Sequence, residues 1–139
     1  MKKKSREIGI EISKPKEICT DKKCPFHGAL KVRGRTLKGT VVSKDTHKSA
    51  TVEFIRKKFI PKFERHEARR TRLRVHNPSC INAEIGDIVM IIECRPLSKT
   101  KKFVVIEKQG EDIAFKQKQE TIQDAKAEEP KLEKKEQGE

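Results

Sequence analysis

Cys19, Cys24 and His27 follow one another at a Cys-x4-Cys-x2-His spacing, so a single loop could present two thiolates and an imidazole to a zinc ion. A tetrahedral site needs a fourth ligand, which would have to come from Cys80, Cys94, His47, His66 or His76. No second pair with ligand spacing completes the pattern. The sequence therefore favours reduced thiols over a metal, with Cys94 a small apolar residue inside a strand. Disulfides are not expected of a chain that reads as cytosolic. No nucleophile elbow, phosphate-binding glycine loop or paired-histidine helix occurs. Asp87 follows Gly86 at the head of an apolar run, where a turn accounts for it better than a catalytic base. The reading is a non-enzyme without cofactor or small-molecule substrate.

The denser chemistry is cationic. Between Arg56 and Arg74 stand Arg56, Lys57, Lys58, Lys62, Arg65, Arg69, Arg70, Arg72 and Arg74, against only Glu64 and Glu67. Arginine dominates the later half, which suits bidentate phosphate contact better than simple solubilisation. Lys31, Arg33 and Arg35 alternate, so in an extended backbone they share a face, and Gly34 between them lets a ligand approach the backbone closely. Phe59 and Phe63 lie inside the first cluster, where capping a barrel end is the favoured role and base stacking the other.

Formal net charge is +13 over 139 residues, and residues 110–139 hold −3 of it, leaving +16 on the first 109. A body so charged repels itself unless a polyanion neutralises it. With 4% aromatics and no Tyr or Trp, a stacking platform for single strands is poorly supplied. No helix suited to reading duplex DNA appears. Structured RNA, recognised by backbone and shape, is the partner these residues suit. No stretch approaches the ~20 apolar residues that span a bilayer, and the basic start Met1-Lys2-Lys3-Lys4 is followed by no apolar signal region, so neither membrane nor secretion is expected.

These side chains need a scaffold. Residues 1–29 read as an irregular basic arm broken by Pro15, Pro25 and Gly28. Residues 30–108 hold five strand patterns, near 37–43, 50–58, 71–76, 88–93 and 103–108. Phe59 to Arg70 reads as a long basic loop interrupted by Pro61, and residues 109–139 as a charged tail, disordered or transiently helical. Five short strands without a long helix suggest an all-β protein, a small five-stranded OB-fold-like barrel, with a β-sandwich as competitor. Val42, Val52, Phe54, Leu73, Val75, Val89, Ile91, Val104 and Ile106 are the expected inward positions.

Gly86-Asp87 through Arg95-Pro96-Leu97-Ser98-Lys99-Thr100 resembles the signature of the universal small-subunit ribosomal protein family numbered seventeen. Cys24-Pro25-Phe26-His27-Gly28, followed by Val32-Arg33-Gly34-Arg35, is similar to its archaeal form. The resemblance covers about residues 16 to 108 and implies a cytoplasmic ribosomal protein with an OB-type barrel. It further implies direct, early binding to the 5′ domain of 16S-type small-subunit rRNA, in the body of the subunit beside neighbouring ribosomal proteins. Carried onto this chain, Lys31, Arg33 and Arg35 would run along the rRNA backbone, and Lys44, His47 and Lys48 would sit on one barrel loop. The long loop with Lys62, Arg65, His66, Arg69 and Arg70 would insert among rRNA helices, and Arg56, Lys57, Lys58 and Arg72 belong to the same cationic set. Arg95, Lys99, Lys101 and Lys102 would contact phosphate at a hairpin tip. The competing reading is a free OB-fold translation factor or RNA chaperone that cycles on and off its RNA.

Overall fold

A computed structural model describes residues 6–10, 12–15 and 17–128. All five expected strands are present, and each is longer than its apolar pattern: β1 Val32–Asp45, β2 Ser49–Ile60, β3 Arg65–His76, β4 Asp87–Cys94 and β5 Phe103–Glu111. They close into one barrel in the order β1-β2-β3-β5-β4. Every neighbouring pair is antiparallel except β3 and β5, which meet in parallel through Val75↔Phe103 and His76↔Val104. A closed five-stranded barrel of this order is the OB-fold arrangement, not a sandwich.

Val41, Ala50, Val52, Val75, Val89, Ile91 and Val105 fill the interior together with Ala83. Three expected inward positions are therefore corrected. Val104 and Ile106 point out of the barrel, and Val41 takes the place expected of Val42. The cause is legible in the packing: Leu30, Ile92, Cys94, Val104 and Ile106 form a second cluster on the outer wall, joined by Ile12, Val32 and Leu97. β4 and β5 are thus apolar on both faces, and a continuous apolar run carries no alternation from which to assign sides. At β1 the register shifts between Val41 and Ser43, which resets the parity.

The N-terminal arm is what covers that outer wall. Arg6 donates from its backbone N–H to the Phe26 carbonyl at 2.9 Å and from its guanidinium to the Leu30 carbonyl at 2.9 Å. Ser13 hydrogen-bonds the Glu107 carboxylate on β5. The head of β4 is fixed by the fully buried Asp87, whose Oδ2 accepts the Glu84 N–H at 2.7 Å and pairs with Lys108 at 3.1 Å. Asp87 is a turn residue that also anchors β5.

The long basic loop is a second correction. Residues 55–70 stay paired as a hairpin from Ile55↔Arg70 out to Ile60↔Arg65, turned by a three-residue 3-10 helix, Pro61–Phe63, with Glu64 in the left-handed region at φ 48°. Proline fits there because the first helical turn leaves its N–H position unbonded anyway. From residue 109, where composition suggests a charged tail, disordered or transiently helical, β5 continues to Glu111 and α1 runs from Ile113 to Glu128. Asp112 caps it by accepting the Phe115 N–H at 3.1 Å. Residues 129–139 lie outside the described residues.

Candidate nucleic-acid interface

The sequence-predicted cations fall into two groups at opposite ends of β2. At its start is a rim made of the β1–β2 loop and the β4–β5 hairpin tip. Lys101 Nζ donates to the Ser49 hydroxyl at 2.8 Å, which locks the tip against the first residue of β2. The tip itself closes by Cys94 N–H to the Lys102 carbonyl and Leu97 N–H to the Lys101 carbonyl, both 2.9 Å. Leu97 tucks against the outer-wall cluster, and Arg95, Lys99 and Lys102 remain exposed with no ion-pair partner among the described residues.

Lys44 and Lys48 also reach the rim, but each already has a polar neighbour. Lys44 donates to the Asn82 side-chain oxygen at 2.8 Å, and Lys48 lies 3.7 Å from Asp21. His47, between them, is exposed. Asp21 also accepts from or pairs with His76 Nε2 at 2.9 Å. Burial opposes ionisation of Asp21, yet the Lys23 N–H, His76 and Lys48 together hold its carboxyl below the usual value. Burial pushes His76 down despite that carboxylate.

Lys31, Arg33 and Arg35 border the rim because Val32 pairs with Cys94. Their expected alternation is interrupted. The β1–β4 register shifts between Val32 and Thr36, and Gly34 takes φ 125°. A Cβ there would sit 2.9 Å from Glu93 Oε2 and 3.2 Å from Glu93 Cβ. Gly34 thus packs against its own sheet; the close approach it allows is by β4.

At the far end of β2, the β2–β3 ribbon leaves the barrel. β2 has 12 residues, so its two ends lie about 36 Å apart at the usual rise. Beyond Phe54, β2 pairs only with β3, which leaves a free-standing two-stranded ribbon. Arg56 faces Arg69 directly, Ile55 faces Arg70, Lys57 faces Ala68 and Phe59 faces His66. Like charges set opposite each other destabilise a ladder, and a lone hairpin is marginal in water. Arg69 pairs with Glu67 at 2.9 Å, and on the barrel Arg72 pairs with Glu53 at 2.7 Å while Arg74 pairs with Asp45. Arg56, Lys57, Lys58, Lys62, Arg65 and Arg70 have no ion-pair partner among the described residues.

Phe59 and Phe63 do not cap the barrel. They ride on the ribbon, 50% and 63% exposed, with Phe59 5.2 Å from the His66 ring and Lys62 Nζ 5.4 Å above Phe63. The pattern of residues 59–70 concealed this, because Pro61 looked like a break in a loop when it is the start of a turn.

The cysteines divide. Cys94 is a small residue of the outer-wall cluster, but Cys19, Cys24 and Cys80 converge with His27 and Phe26 into a third buried cluster. Among the five fourth-ligand candidates the fold selects Cys80. Its hydrogen bond to Cys24 is the largest influence drawing the Cys24 thiol down, against the cost of burial and with help from the His27 and Phe26 N–H groups; the same bond pushes Cys80 up.

The model of the family described as Ribosomal protein S17 matches residues 39–107, from β1 to the middle of β5. The chain is 53% identical over 106 residues to the small ribosomal subunit protein uS17 of Methanocaldococcus jannaschii, covering 76% of this chain and 91% of that protein. The chain belongs to the uS17 family. The uS17 protein of Archaeoglobus fulgidus is 50% identical over 107 residues, covering 77% of this chain and 96% of its own length. That of Methanococcus maripaludis is 50% identical over 101 residues, covering 73% and 93%. As a uS17 protein it is a structural constituent of the small ribosomal subunit, and its barrel is the uS17 scaffold on which both cationic groups are mounted.

Proposed function

We propose that the chain is a primary rRNA-binding protein, docking directly on the 5′ domain of 16S-type rRNA and helping to assemble the body of the small subunit in the cytoplasm beside neighbouring ribosomal proteins. The observation that carries this reading is the ribbon. Residues 55–70 hold seven lysines and arginines against two glutamates on a hairpin with no third strand beside it among the described residues. Such an element gains its stability from a polyanion, since each phosphate contact releases condensed counterions. The rim supplies Arg95, Lys99, Lys101, Lys102, Lys31, Arg33, Arg35, Lys44, His47 and Lys48 for a second stretch of backbone. With the two groups about 36 Å apart along β2, one protein spans separate RNA segments and fixes their spacing.

The test is binding of the full chain to transcripts of the 5′ domain and of the 3′ domain across a salt series. The 5′ transcript should bind at least about tenfold tighter at moderate salt, with a steep decline as salt rises. Equal affinity for both transcripts would remove the domain assignment. A free factor should dissociate from purified small subunits in a moderate salt wash, whereas this chain should co-sediment with them.

A further inference from the structure

We propose that Cys19, Cys24, His27 and Cys80 form a structural zinc site that staples the N-terminal arm to the turn after β3. Their ligand atoms all lie within 4.8 Å of one another, and all four residues are buried. Cys19 Sγ is 3.5 Å and Cys24 Sγ 3.7 Å from His27 Nδ1, and Cys24 Sγ is 3.6 Å from Cys80 Sγ. A tetrahedral zinc with Zn–S of about 2.3 Å and Zn–N of about 2.0 Å sets its ligand atoms about 3.8 Å (S–S) and about 3.5 Å (S–N) apart. The three contacts are edges of that tetrahedron.

The loop is built for the purpose. Cys24 and His27 are three residues apart on a tight turn in which Gly28 N–H bonds the Cys24 carbonyl at 2.9 Å and Cys24 N–H bonds the Asp21 carbonyl at 3.2 Å. No side chain fits at Gly28: a Cβ would meet the carbonyl oxygens of Lys22, Asp21 and Cys24 at 2.4, 2.7 and 2.7 Å.

His27 adds an independent argument. Its Nε2 is buried with no partner among the described residues, and its Nδ1 has two cysteine sulfurs as its hydrogen-bonding neighbours. Weak thiol contacts are poor compensation for a buried imidazole, whereas a metal bond at Nδ1 is strong. Three thiols give up their protons as the three Zn–S bonds form, and the neutral ring keeps its hydrogen on Nε2. The centre then carries one net negative charge, on a loop that also holds the exposed Lys22 and Lys23.

The site acts on function through position. Cys19 to His27 belong to the arm, and Cys80 lies just past His76, whose ring bonds Asp21 beside Lys48 of the rim. A metal at this point fixes the arm, and with it Lys31 and Arg33, relative to the β1–β2 loop.

Full chain purified without chelator should contain about one zinc per chain by mass spectrometry of the metal. Adding zinc to the stripped protein near neutral pH should release protons from the cysteine thiols. Replacement by cobalt should give thiolate-to-cobalt charge transfer and the intense visible bands of a tetrahedral centre. Cys80→Ser and Cys19→Ser should lose the metal, Cys94→Ser should keep it, and His27→Cys should keep it with a shifted cobalt spectrum. If the serine variants do not fold, proton release and the cobalt spectrum of the natural chain still decide. Zinc well below stoichiometry with no tetrahedral cobalt spectrum, zinc retained in Cys80→Ser, another metal in its place, or a Cys24–Cys80 disulfide in protein purified under reducing conditions would overturn the assignment.

Discussion

At Gly34 one hydrogen atom decides the path of β1. The residue sits at φ 125° and faces Glu93, so any side chain strains the backbone and crowds β4. Gly34→Val should lower the stability of the free protein by about 2 kcal/mol, read by urea unfolding. An unchanged midpoint with weakened rRNA binding would instead mean that the glycine serves the RNA. The sequence showed a glycine among alternating cations; that its close neighbour is Glu93, 59 positions on, is a fact of pairing between β1 and β4. Cys80 teaches the same lesson. It lies 56 residues from Cys24 in sequence and 3.6 Å away in space. Spacing exposes ligands that share a loop, as Cys19, Cys24 and His27 do, but a ligand delivered by another element leaves no periodic trace.

The β2–β3 ribbon is an element whose two jobs conflict. Arg56 opposite Arg69 is unfavourable in the free protein and useful only against phosphate. Arg56→Thr should therefore leave thermal stability unchanged or raise it slightly, while weakening binding of an rRNA fragment, the two being followed by melting and by filter binding. A loss of stability would show that the pair is not in conflict. Arg69→Ala with Arg70→Ala should weaken binding; adjacent residues occupy opposite faces of the ribbon, so contact of both faces with RNA would reduce the magnitude of the salt slope by about two. A slope reduced by about one would restrict contact to one face. The five strands were readable because β-branched residues mark them and turn residues separate them. The β2 side of the ribbon was readable as far as Lys58; its tip and its β3 side were not, because Arg, Lys and Glu carry no apolar alternation, and the pairing there rests on continuing a register begun by Val52↔Leu73. The outer wall escaped for the opposite reason: β4 and β5 are apolar throughout, so the sequence marked them as strands without revealing that the arm covers one side.

Across the whole molecule, charge and barrel divide the labour. The buried interior is Val, Ala and Ile, while the predicted RNA-binding cations gather at the two ends of β2, away from the apolar walls. The barrel's closure is uneven. β2 and β3 pair from Ser49↔His76 to Ile60↔Arg65, but β3 and β5 share only Val75↔Phe103 and His76↔Val104. Among interior strand positions, the amides along this narrow join should exchange with deuterium soonest in the free protein and slow on binding rRNA. Equal protection around the whole circumference would contradict this. Two rungs are a thin latch, so the sheet can breathe there as a cylinder slit lengthwise. Because the latch lies where β3 hands over to the cysteine turn and β5 emerges from the basic hairpin, nucleic acid gripping the rim would clamp the cylinder along its narrowest seam.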